Sequence, residues 1–307
     1  MTESTQNQPL SGHQFALASG DLEAVVASIG ASVRRLTVGG RDLVVPFEED
    51  EVRPSYRGAV LAPWPNRVVN GVWSLDGGQQ RLALTEPERG HALHGLAAWL
   101  DFAPLEVAAD RVVLGATIEP QTGYPFRVRV EVDYRLDADG LTTRVTLRNV
   151  GAGVAPVGAA SHPYLVAGDG RVDDWTVQLR AESVMTVTPD RLVPIEIVPV
   201  AGALDLRTPR TLGGSFIDHA FTGLPEGEVE LTVMAEHGRG VGMRWLSESC
   251  PWVQVHTADR PDPSESRLGL AVEPMTCPPD AFNSGTDVAR LAPGASTSAG
   301  WTIFPIR

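Results

Sequence analysis

VRVEVDYRLDADGLTTRVTLR, residues 128–148, alternates apolar with charged or polar side chains over most of its length. Alternation with a period of two is typical of a β-strand that has one face buried and the other in solvent. The alternation stops at residues 137–140, Asp-Ala-Asp-Gly, whose residue types favour a turn, and it resumes at Leu141. We therefore predict a hairpin of two antiparallel strands here.

Strand-like patterns recur along the rest of the chain. A second hairpin is predicted from Val229 to Trp245, with its turn at residues 236–240. Further strands are predicted at Leu22–Ile29, Ser32–Val38, Arg111–Ile118, Trp175–Leu179, Trp252–His256, Leu268–Val272 and Gly300–Phe304. The 31 Gly and 24 Pro are spread evenly rather than collected in a linker. The expected fold is all-β, a large antiparallel β-sandwich that spans residues 1–307 as a single domain.

Composition and charge restrict the class of protein. With 25 basic against 38 acidic residues the net charge is -13, so we do not expect nucleic acid as a partner. The opening segment MTESTQNQPLSG has neither a basic nor an apolar stretch, and no apolar run is long enough to span a bilayer. We expect a cytoplasmic protein without a membrane partner. Cys250 and Cys277 are then expected to be reduced thiols, with a disulfide between them as the alternative.

Glu273 is the most informative carboxylate in the sequence. In the predicted strand Leu268–Val272, the large residues Leu268, Leu270 and Val272 share one face, which puts Glu273 on the opposite face with Gly269 and Ala271. Small neighbours leave room for a ligand beside the carboxylate, and Pro274 follows directly, so the strand is expected to end there. A solvated carboxylate at a sheet edge is the alternative interpretation.

Histidines supply a second candidate for acid/base chemistry. His162 precedes Pro163, which keeps it out of the helical region, and an imidazole exchanges protons near neutral pH. His91 and His94 are three residues apart and would face opposite ways in a strand, so they support a zinc site only weakly. The sequence contains no HExxH, CxxC, GxSxG or phosphate-binding loop. We therefore expect neither a metal nor another cofactor.

Seven segments, taken together and in order, resemble the aldose 1-epimerase (galactose mutarotase) family over nearly the whole chain. They are GASVRRLTVGGRDLV (30–44), NRVVNG (66–71), HALHGL (91–96), SHPYL (161–165), IDHAF (217–221), WVQVHT (252–257) and VEPMTCPPDAFN (272–283). The resemblance implies the large sandwich of that family, called a supersandwich, and an isomerase that interconverts the α and β anomers of a free aldose such as glucose or galactose. It also implies that the partner is a monosaccharide and that the chain is a monomer or a homodimer.

The resemblance also implies roles for individual residues. Glu273 stands at the position of the family's base and His162 at that of its acid. Substrate-binding or supporting roles are implied for Asn66, Arg67, His94, Tyr164, Asp218 and Gln254. Such a pair agrees with the chemistry, because opening a hemiacetal needs one group to take the anomeric hydroxyl proton and another to protonate the ring oxygen. His94 is the alternative to His162 as the acid.

Three departures from the family pattern bear on the substrate. Leu165 follows Tyr164 where many members have an aromatic residue, His256 stands where an aromatic residue often occurs, and the loop MTCPPDAFN differs from its common form. The departures leave the reaction type in place but weaken the expectation that galactose is preferred.

Three other functions remain open from the sequence. A hexose-6-phosphate mutarotase would need cations near the cleft, which Arg53, Arg57 and Arg67 could supply. A non-catalytic sugar-binding sandwich would have the same fold, because fold does not fix function. A glycosidase would use two carboxylates, here Asp218 and Glu273.

Overall fold

The computed structural model describes residues 8–307, with the side chain of His237 excepted. Residues 1–7, on which part of the expectation about targeting signals depends, lie outside the described residues.

One short helix, α1, covers Ala281–Ser284, and 3-10 turns lie at Pro54–Tyr56, Val69–Gly71, Ala97–Trp99, Val172–Asp174, Gly202–Leu204 and Glu236–Gly238. The strands are, in chain order, β1 (Gln14–Ser19), β2 (Leu22–Ala27), β3 (Ser32–Val38), β4 (Arg41–Asp42), β5 (Val60–Leu61), β6 (Arg67–Val68), β7 (Val72–Leu75), β8 (Gly78–Arg81), β9 (Ala92–Leu93), β10 (Ala103–Val107), β11 (Arg111–Ile118), β12 (Val128–Asp137), β13 (Gly140–Asn149), β14 (Ala155–Val157), β15 (Ala160–Ser161), β16 (Tyr164–Leu165), β17 (Thr176–Leu179), β18 (Ser183–Val187), β19 (Pro194–Pro199), β20 (Arg210–Thr211), β21 (Asp218–Thr222), β22 (Glu228–Met234), β23 (Gly240–Leu246), β24 (Trp252–His256), β25 (Leu270–Met275), β26 (Ala289–Leu291) and β27 (Ser296–Ile306).

Three sheets make up most of the molecule. Their strand orders are β1-β2-β3-β4, β10-β11-β12-β13-β27-β23-β22-β17-β20 and β16-β25-β24-β21-β18-β19. Four further two-stranded sheets in the described part of the chain are β14–β26, β15–β5, β6–β9 and β7–β8. Neighbouring strands in these sheets run antiparallel, and the fold is all-β as predicted.

The three sheets bury one shared apolar core. It contains Val132 and Val145 from the nine-stranded sheet, Val255 and Val272 from the six-stranded sheet, and Leu36 from the four-stranded sheet. Because each sheet contributes one face to the same cluster, the architecture is a layered sandwich.

Both predicted hairpins are confirmed. Strands β12 and β13 pair from Val128–Asn149 down to Asp137–Gly140, and the alternating apolar residues of β12 are fully buried. Strands β22 and β23 pair around the 3-10 turn at Glu236–Gly238. The apolar half of each alternation therefore marks the core face correctly.

The strand that carries Glu273 differs from the prediction. It begins at Leu270 and continues through Pro274 to Met275, so Glu273 lies within the strand rather than at its end. On the edge of this strand that faces β15 and β16, the Val272 amide donates to the Pro163 carbonyl and the Thr276 amide donates to the Ala159 carbonyl. The nitrogen of Pro274 lies between these two amides, opposite the break between β15 and β16. A proline is tolerated there because the neighbouring chain is not paired as a strand at that point.

Other predicted boundaries shift by a few residues. The strand predicted at Leu22–Ile29 ends at Ala27, that at Trp175–Leu179 begins at Thr176, and that at Gly300–Phe304 extends to Ser296–Ile306. Cys250 and Cys277 are both buried free thiols, so the disulfide alternative is wrong. Between residues 8 and 307, none of the helices is long and apolar enough to cross a membrane.

Candidate active site

One face of the six-stranded sheet carries the candidate residues in two neighbouring rows. Glu273 pairs directly with Gln254, and Gln254 pairs with Ala220. Directly paired residues in a sheet point to the same side, so the Glu273 and Gln254 side chains are neighbours across β25 and β24. Leu270 and Val272, with the opposite parity, belong to the main core. The prediction that Glu273 faces away from the large residues of its strand is confirmed.

The second row lies two residues along the same strands. It runs from Tyr164 through Ala271 and His256 to Asp218. Two residues along a strand return to the same face, so both rows line one cleft. Ala271, between Tyr164 and His256, is the small residue that keeps the middle of this row open.

His162 reaches the cleft from the break between β15 and β16. Its backbone is held by two hydrogen bonds, since its amide donates to Ala59 and its carbonyl accepts from Gly58. Its Nε2 lies 3.4 Å from Oε1 of Glu273. The ring stacks on Tyr164 at 4.9 Å with an angle of 18° between the planes, and the Tyr164 hydroxyl donates to the Ser55 carbonyl at 3.0 Å. Tyr164 therefore fixes the plane of the imidazole.

His94 reaches the same place through an unusual backbone conformation. It has a φ of 62°, and Gly95 follows with a φ of 72°. A Cβ on Gly95 would lie 2.2 Å from the Ala62 carbonyl oxygen, so only glycine fits there. The two left-handed residues place the His94 ring edge-to-face against His162, with 5.0 Å between the ring centroids. His91 lies apart from this cluster, because its Nε2 contacts the Arg191 carbonyl and its Nδ1 accepts from the Asn70 amide.

Arg67 is the buried cation of the cleft. It donates to both carboxylate oxygens of Glu86 at 2.8 and 3.0 Å, and its Nη2 lies 3.8 Å from Oδ2 of Asp218. Asp218 in turn accepts from Nε2 of Gln254 at 2.6 Å, and Asn66 accepts from the Arg67 amide at 2.9 Å. Both charges of the Arg67–Glu86 pair are compensated, and the two-point contact fixes the guanidinium plane.

Five buried polar atoms around this cleft have no hydrogen-bond partner among the described residues. They are Nδ1 of His94, Nδ1 of His162, Oε1 of Gln254, Nδ1 of His256 and Oε2 of Glu273. A buried polar group without a partner costs free energy, and most buried polar groups in proteins have one. Hydroxyl groups both donate and accept, so a polyhydroxylated ligand would satisfy acceptors and donors of this set together.

Burial sets the protonation states of the central pair. It raises the pKa of Glu273 well above the usual carboxyl range, and the neighbouring Asp218 charge raises it further. Burial also lowers the pKa of His162 to about 3, with His256 adding to the effect. The free site thus favours a protonated carboxyl beside a neutral imidazole. The same proton count also describes a carboxylate beside an imidazolium, so the pair can exchange roles without losing a proton.

His94, His162 and Glu273 could also serve as metal ligands. Their potential ligand atoms all lie within 4.8 Å of one another. His91 is not part of this group, so the structure does not bring together the pair His91 and His94, for which the sequence offered only weak support as a zinc site. Two imidazoles and a carboxylate match the ligand types that zinc accepts, which makes chelation a necessary control in any assay.

The three arginines that the alternative hexose-6-phosphate function would need are held in separate protein contacts. Arg53 is buried and donates to the carbonyls of Ile29 and Ala98, and Arg67 is bound to Glu86. Only Arg57, with Arg260, remains near Tyr164, where Nη2 of Arg260 donates to the tyrosine hydroxyl at 3.3 Å. Arg57 in turn donates to the Pro46 carbonyl at 3.1 Å, so each of the three arginines has a protein partner.

The structure adds several residues to the predicted set. Glu86 and Arg260 were not predicted, because each lies in a loop whose sequence gives no sign of burial or of proximity to the cleft. Tyr56 was also not predicted; its ring lies 4.7 Å from His94 and 6.4 Å from His162. His256 was noted only as a departure in the pattern, and it lies 3.8 Å from Asp218. The eight predicted site residues all lie around this cleft.

A family model and two relatives of known sequence match most of this chain. The model of the family described as aldose 1-epimerase matches residues 13–303. Over 294 residues, the chain is 35% identical to the uncharacterized protein YihR of Escherichia coli K12, covering 94% of this chain and 92% of YihR. It is 27% identical over 268 residues to the galactose mutarotase of Sus scrofa, covering 80% and 77% of the two chains.

A solved structure shows the same fold. The GalM/aldose epimerase homologue from Caenorhabditis elegans aligns with a TM-score of 0.84 at 19% identity, over 96% of this chain and 99% of that chain. At this identity, the likeness concerns the fold alone.

Proposed function

The chain belongs to the aldose 1-epimerase family of isomerases, and we propose from this that it interconverts the α and β anomers of a free aldose such as glucose or galactose. The observation that carries the proposal is the 3.4 Å contact between Nε2 of His162 and Oε1 of Glu273. The anomeric hydroxyl oxygen and the ring oxygen of an aldose are bonded to the same carbon. A base for one and an acid for the other must therefore be close neighbours.

The reaction follows from the proton count of this pair. With a sugar bound, the Glu273 carboxylate takes the proton of the anomeric hydroxyl while the His162 imidazolium protonates the ring oxygen. The bond between that oxygen and the anomeric carbon breaks, and an open-chain aldehyde forms beside a neutral acid and a neutral imidazole. Burial favours this neutral pair, so the protein environment supports ring opening. Rotation about the bond next to the aldehyde and reversal of both transfers give the other anomer.

The remaining candidates fit the proposal as binding groups. Arg67 and His94 would donate to sugar oxygens, while Asp218, Gln254 and Asn66 would contact hydroxyl groups or hold Arg67 in place. Tyr164 would keep the His162 ring in plane through its stack. Charge-assisted bonds from Arg67 and to Asp218 would be the strongest of these contacts.

The observed arrangement argues against two of the other functions. A glycosidase would need a second carboxylate that is free to act, yet Asp218 accepts from Gln254 and lies beside Arg67. A phosphate site would need free cations, and Arg53 and Arg67 are already bound to protein groups. Arg57 and Arg260 are the cations that a hexose 6-phosphate could still reach, so that substrate belongs in the assay.

The test is polarimetry of freshly dissolved α-anomers of glucose, galactose and one hexose 6-phosphate. The wild-type protein should accelerate mutarotation of a free aldose, and Glu273→Gln should fold normally and lose roughly a hundredfold or more of the rate. Glu131→Gln makes the same change at an exposed position of β12 and should retain full activity.

Three results would contradict this proposal in different ways. Near-normal turnover by folded Glu273→Gln would show that Glu273 is not the base. Sugar binding without turnover by the wild type would indicate a non-catalytic binding protein. Loss of the rate after exhaustive chelation, with recovery on adding one divalent ion, would show that His94, His162 and Glu273 work through a metal.

A further inference from the structure

Two histidines and a glutamate meet at one point of the cleft, and their geometry is close to that of a metal site. The potential ligand atoms of His94, His162 and Glu273 all lie within 4.8 Å of one another. A zinc ion with bonds of about 2.1 Å holds its ligand atoms roughly 3.4 Å apart. Nε2 of His162 and Oε1 of Glu273 already have this spacing, at 3.4 Å. The other distances exceed it by at most about 1.4 Å, which side-chain rotation can close.

Both imidazoles are in the form that binds a metal ion. The neutral ring is the ligand, since a protonated ring has no free lone pair on nitrogen. Burial lowers the pKa of His94 well below its ordinary value, and it lowers the pKa of His162 to about 3. Oε2 of Glu273 is buried without a hydrogen-bond partner among the described residues, so this oxygen is available to an ion. Three ligands of a tetrahedral ion are thus present, and water would complete the set.

The charges around these three ligands favour a divalent cation. Asp218 lies near enough to Glu273 for its charge to raise the pKa of that carboxyl. Arg67 opposes a cation there, but its charge is compensated by the two-point contact with Glu86. A divalent ion would balance the two carboxylates together, whereas one proton on Glu273 leaves the charge of Asp218 in place.

The cluster lacks the support that holds a resident metal ion. An imidazole that ligates such an ion usually donates from its second nitrogen to a carboxylate or carbonyl, and losing that partner costs roughly ten- to a hundredfold in affinity. If Nε2 of His162 binds the ion, Nδ1 is the second nitrogen, and it has no partner among the described residues. An ion bound here is therefore expected to exchange and to be removed by a chelator.

We propose that His94, His162 and Glu273 form a reversible site for a divalent transition-metal ion such as Zn²⁺, and that the bound ion inhibits the enzyme. This proposal rests on the proposed function and names a regulation of the same site. The ion would occupy the lone pairs of Glu273 and His162 that otherwise exchange protons with the sugar, and the proton that this pair holds would pass to solvent. Anomerisation would stop until the ion leaves.

Cys250 and Cys277 are competing ligands for such an ion. Both are buried free thiols, and burial raises the pKa of each to about 12. A thiol must lose its proton to bind a metal, so these residues are poor ligands near neutral pH. Cobalt bound to thiolate also absorbs strongly in the near ultraviolet, which a site of imidazoles and carboxylate does not.

The binding test titrates Co²⁺ into the metal-free protein and follows its absorption spectrum, which does not depend on turnover. The wild type should bind one Co²⁺ per chain without the thiolate band, and Zn²⁺ should displace it. His94→Asn and Glu273→Gln each remove a ligand and should weaken binding by roughly tenfold or more. Asparagine tolerates the left-handed backbone at position 94, so that variant should fold.

Two matched controls make the same changes at exposed positions. His13→Asn and Glu131→Gln should bind Co²⁺ as the wild type does. Absence of one-to-one binding by the wild type, a thiolate band in its spectrum, or equal binding by all five proteins would overturn the metal site.

The kinetic test measures mutarotation of glucose, below its KM, with a chelator and with added Zn²⁺. The chelated wild type should keep its full rate, and Zn²⁺ at about ten times its Kd should lower the rate roughly tenfold by mass action. Raising the glucose concentration should relieve the inhibition, because ion and sugar compete for the same groups. Mg²⁺, which prefers oxygen ligands, should not inhibit.

The outcomes separate this proposal from the proposed function. A rate that saturating Zn²⁺ raises or leaves unchanged would overturn the inhibition, even if glucose is anomerised normally. If no aldose is anomerised, the proposed function fails and the inhibition fails with it, whereas the Co²⁺ titration still decides the metal site.

Discussion

At the scale of single residues, Glu273 and His162 share one proton in the state that we propose to be active. A second proton would have to go to His162, whose pKa burial lowers, and loss of the shared proton would deprotonate a carboxyl whose pKa burial raises. Both shifts widen the pH range in which the pair holds one proton. The two apparent pKa values belong to the pair rather than to either residue.

We therefore predict a bell-shaped pH profile of kcat/KM for anomerisation. Its acid limb should lie below the ordinary imidazole pKa of about 6.5, and its alkaline limb above the ordinary carboxyl pKa of about 4.3. His162→Asn should remove the acid limb and most of the rate, because asparagine keeps polarity but cannot titrate. Polarimetric measurement of kcat/KM for both proteins, at a series of pH values from acid to alkaline, would test this profile.

His94→Asn is the matched control for that experiment. It removes an equally buried imidazole that lies against His162 but farther from the proposed proton path to Glu273. It should weaken substrate binding and keep both limbs. If His94→Asn abolishes the profile while His162→Asn preserves it, the acid is His94 and the assignment is reversed.

Residue patterns predicted the orientation of Glu273 but not all of its surroundings. The face on which Glu273 lies followed from the alternate positions of the large apolar residues Leu270 and Val272, which is a local property of the strand. The left-handed backbone of His94 was not predictable, since it depends on how closely Gly95 approaches Ala62. The burial of Glu86 depends on Arg67, nineteen positions away in sequence, and no local pattern encodes such a contact.

At the scale of elements, the β12–β13 hairpin anchors the nine-stranded sheet to the core. Leu136 is fully buried and Arg135, next to it, is exposed. Leu136→Ala should reduce the free energy of unfolding by about 2–5 kcal/mol, through lost burial and a cavity. Arg135→Ala should change it by no more than about 0.5 kcal/mol. Chemical denaturation of both variants would measure the difference, and equal stabilities would contradict the assigned register.

Elements with clear alternation were predicted with nearly correct bounds, while short ones were not predicted. The ten-residue strands β12 and β13 were recognised because apolar residues repeat at one parity, five of them in β12, and in β13 Leu141, Val145 and Leu147. The two-residue strands β5, β6 and β16 have no repeat to detect, yet they position Arg67 and Tyr164. Pro274 ended the predicted strand because the missing pairing opposite it is a tertiary feature.

At the scale of the whole molecule, Arg41 connects the three main sheets. From β4 it donates to the Ala167 carbonyl at 3.0 Å, to the Gly240 carbonyl at 3.2 Å and to the Ile306 carbonyl at 3.4 Å. Gly240 and Ile306 belong to the nine-stranded sheet, and Ala167 follows β16 of the six-stranded sheet. We propose that the chain folds as one unit, with Arg41 as one of its connections.

Arg41→Met keeps the apolar stem and removes these donors. It should lower the free energy of unfolding by about 1–3 kcal/mol, since the partly buried carbonyls lose a charged partner. Arg35→Met, on exposed β3 surface, should cost less than about 1 kcal/mol because its contact with Asp42 is solvent-exposed. Urea denaturation followed by tryptophan fluorescence would compare them, and an Arg41→Met protein as stable as the wild type would disprove the connection.

Strand β27 lies between β13 and β23, in the middle of the nine-stranded sheet, although it is the last strand in chain order. During synthesis on the ribosome, the segments on either side of it are made long before their common neighbour emerges. Until then each half of the sheet has one unpaired edge. The entropy cost of closing a contact between residues so distant in sequence also slows folding. The nascent chain therefore depends on residues 296–306 to protect two long strand edges from association with other chains.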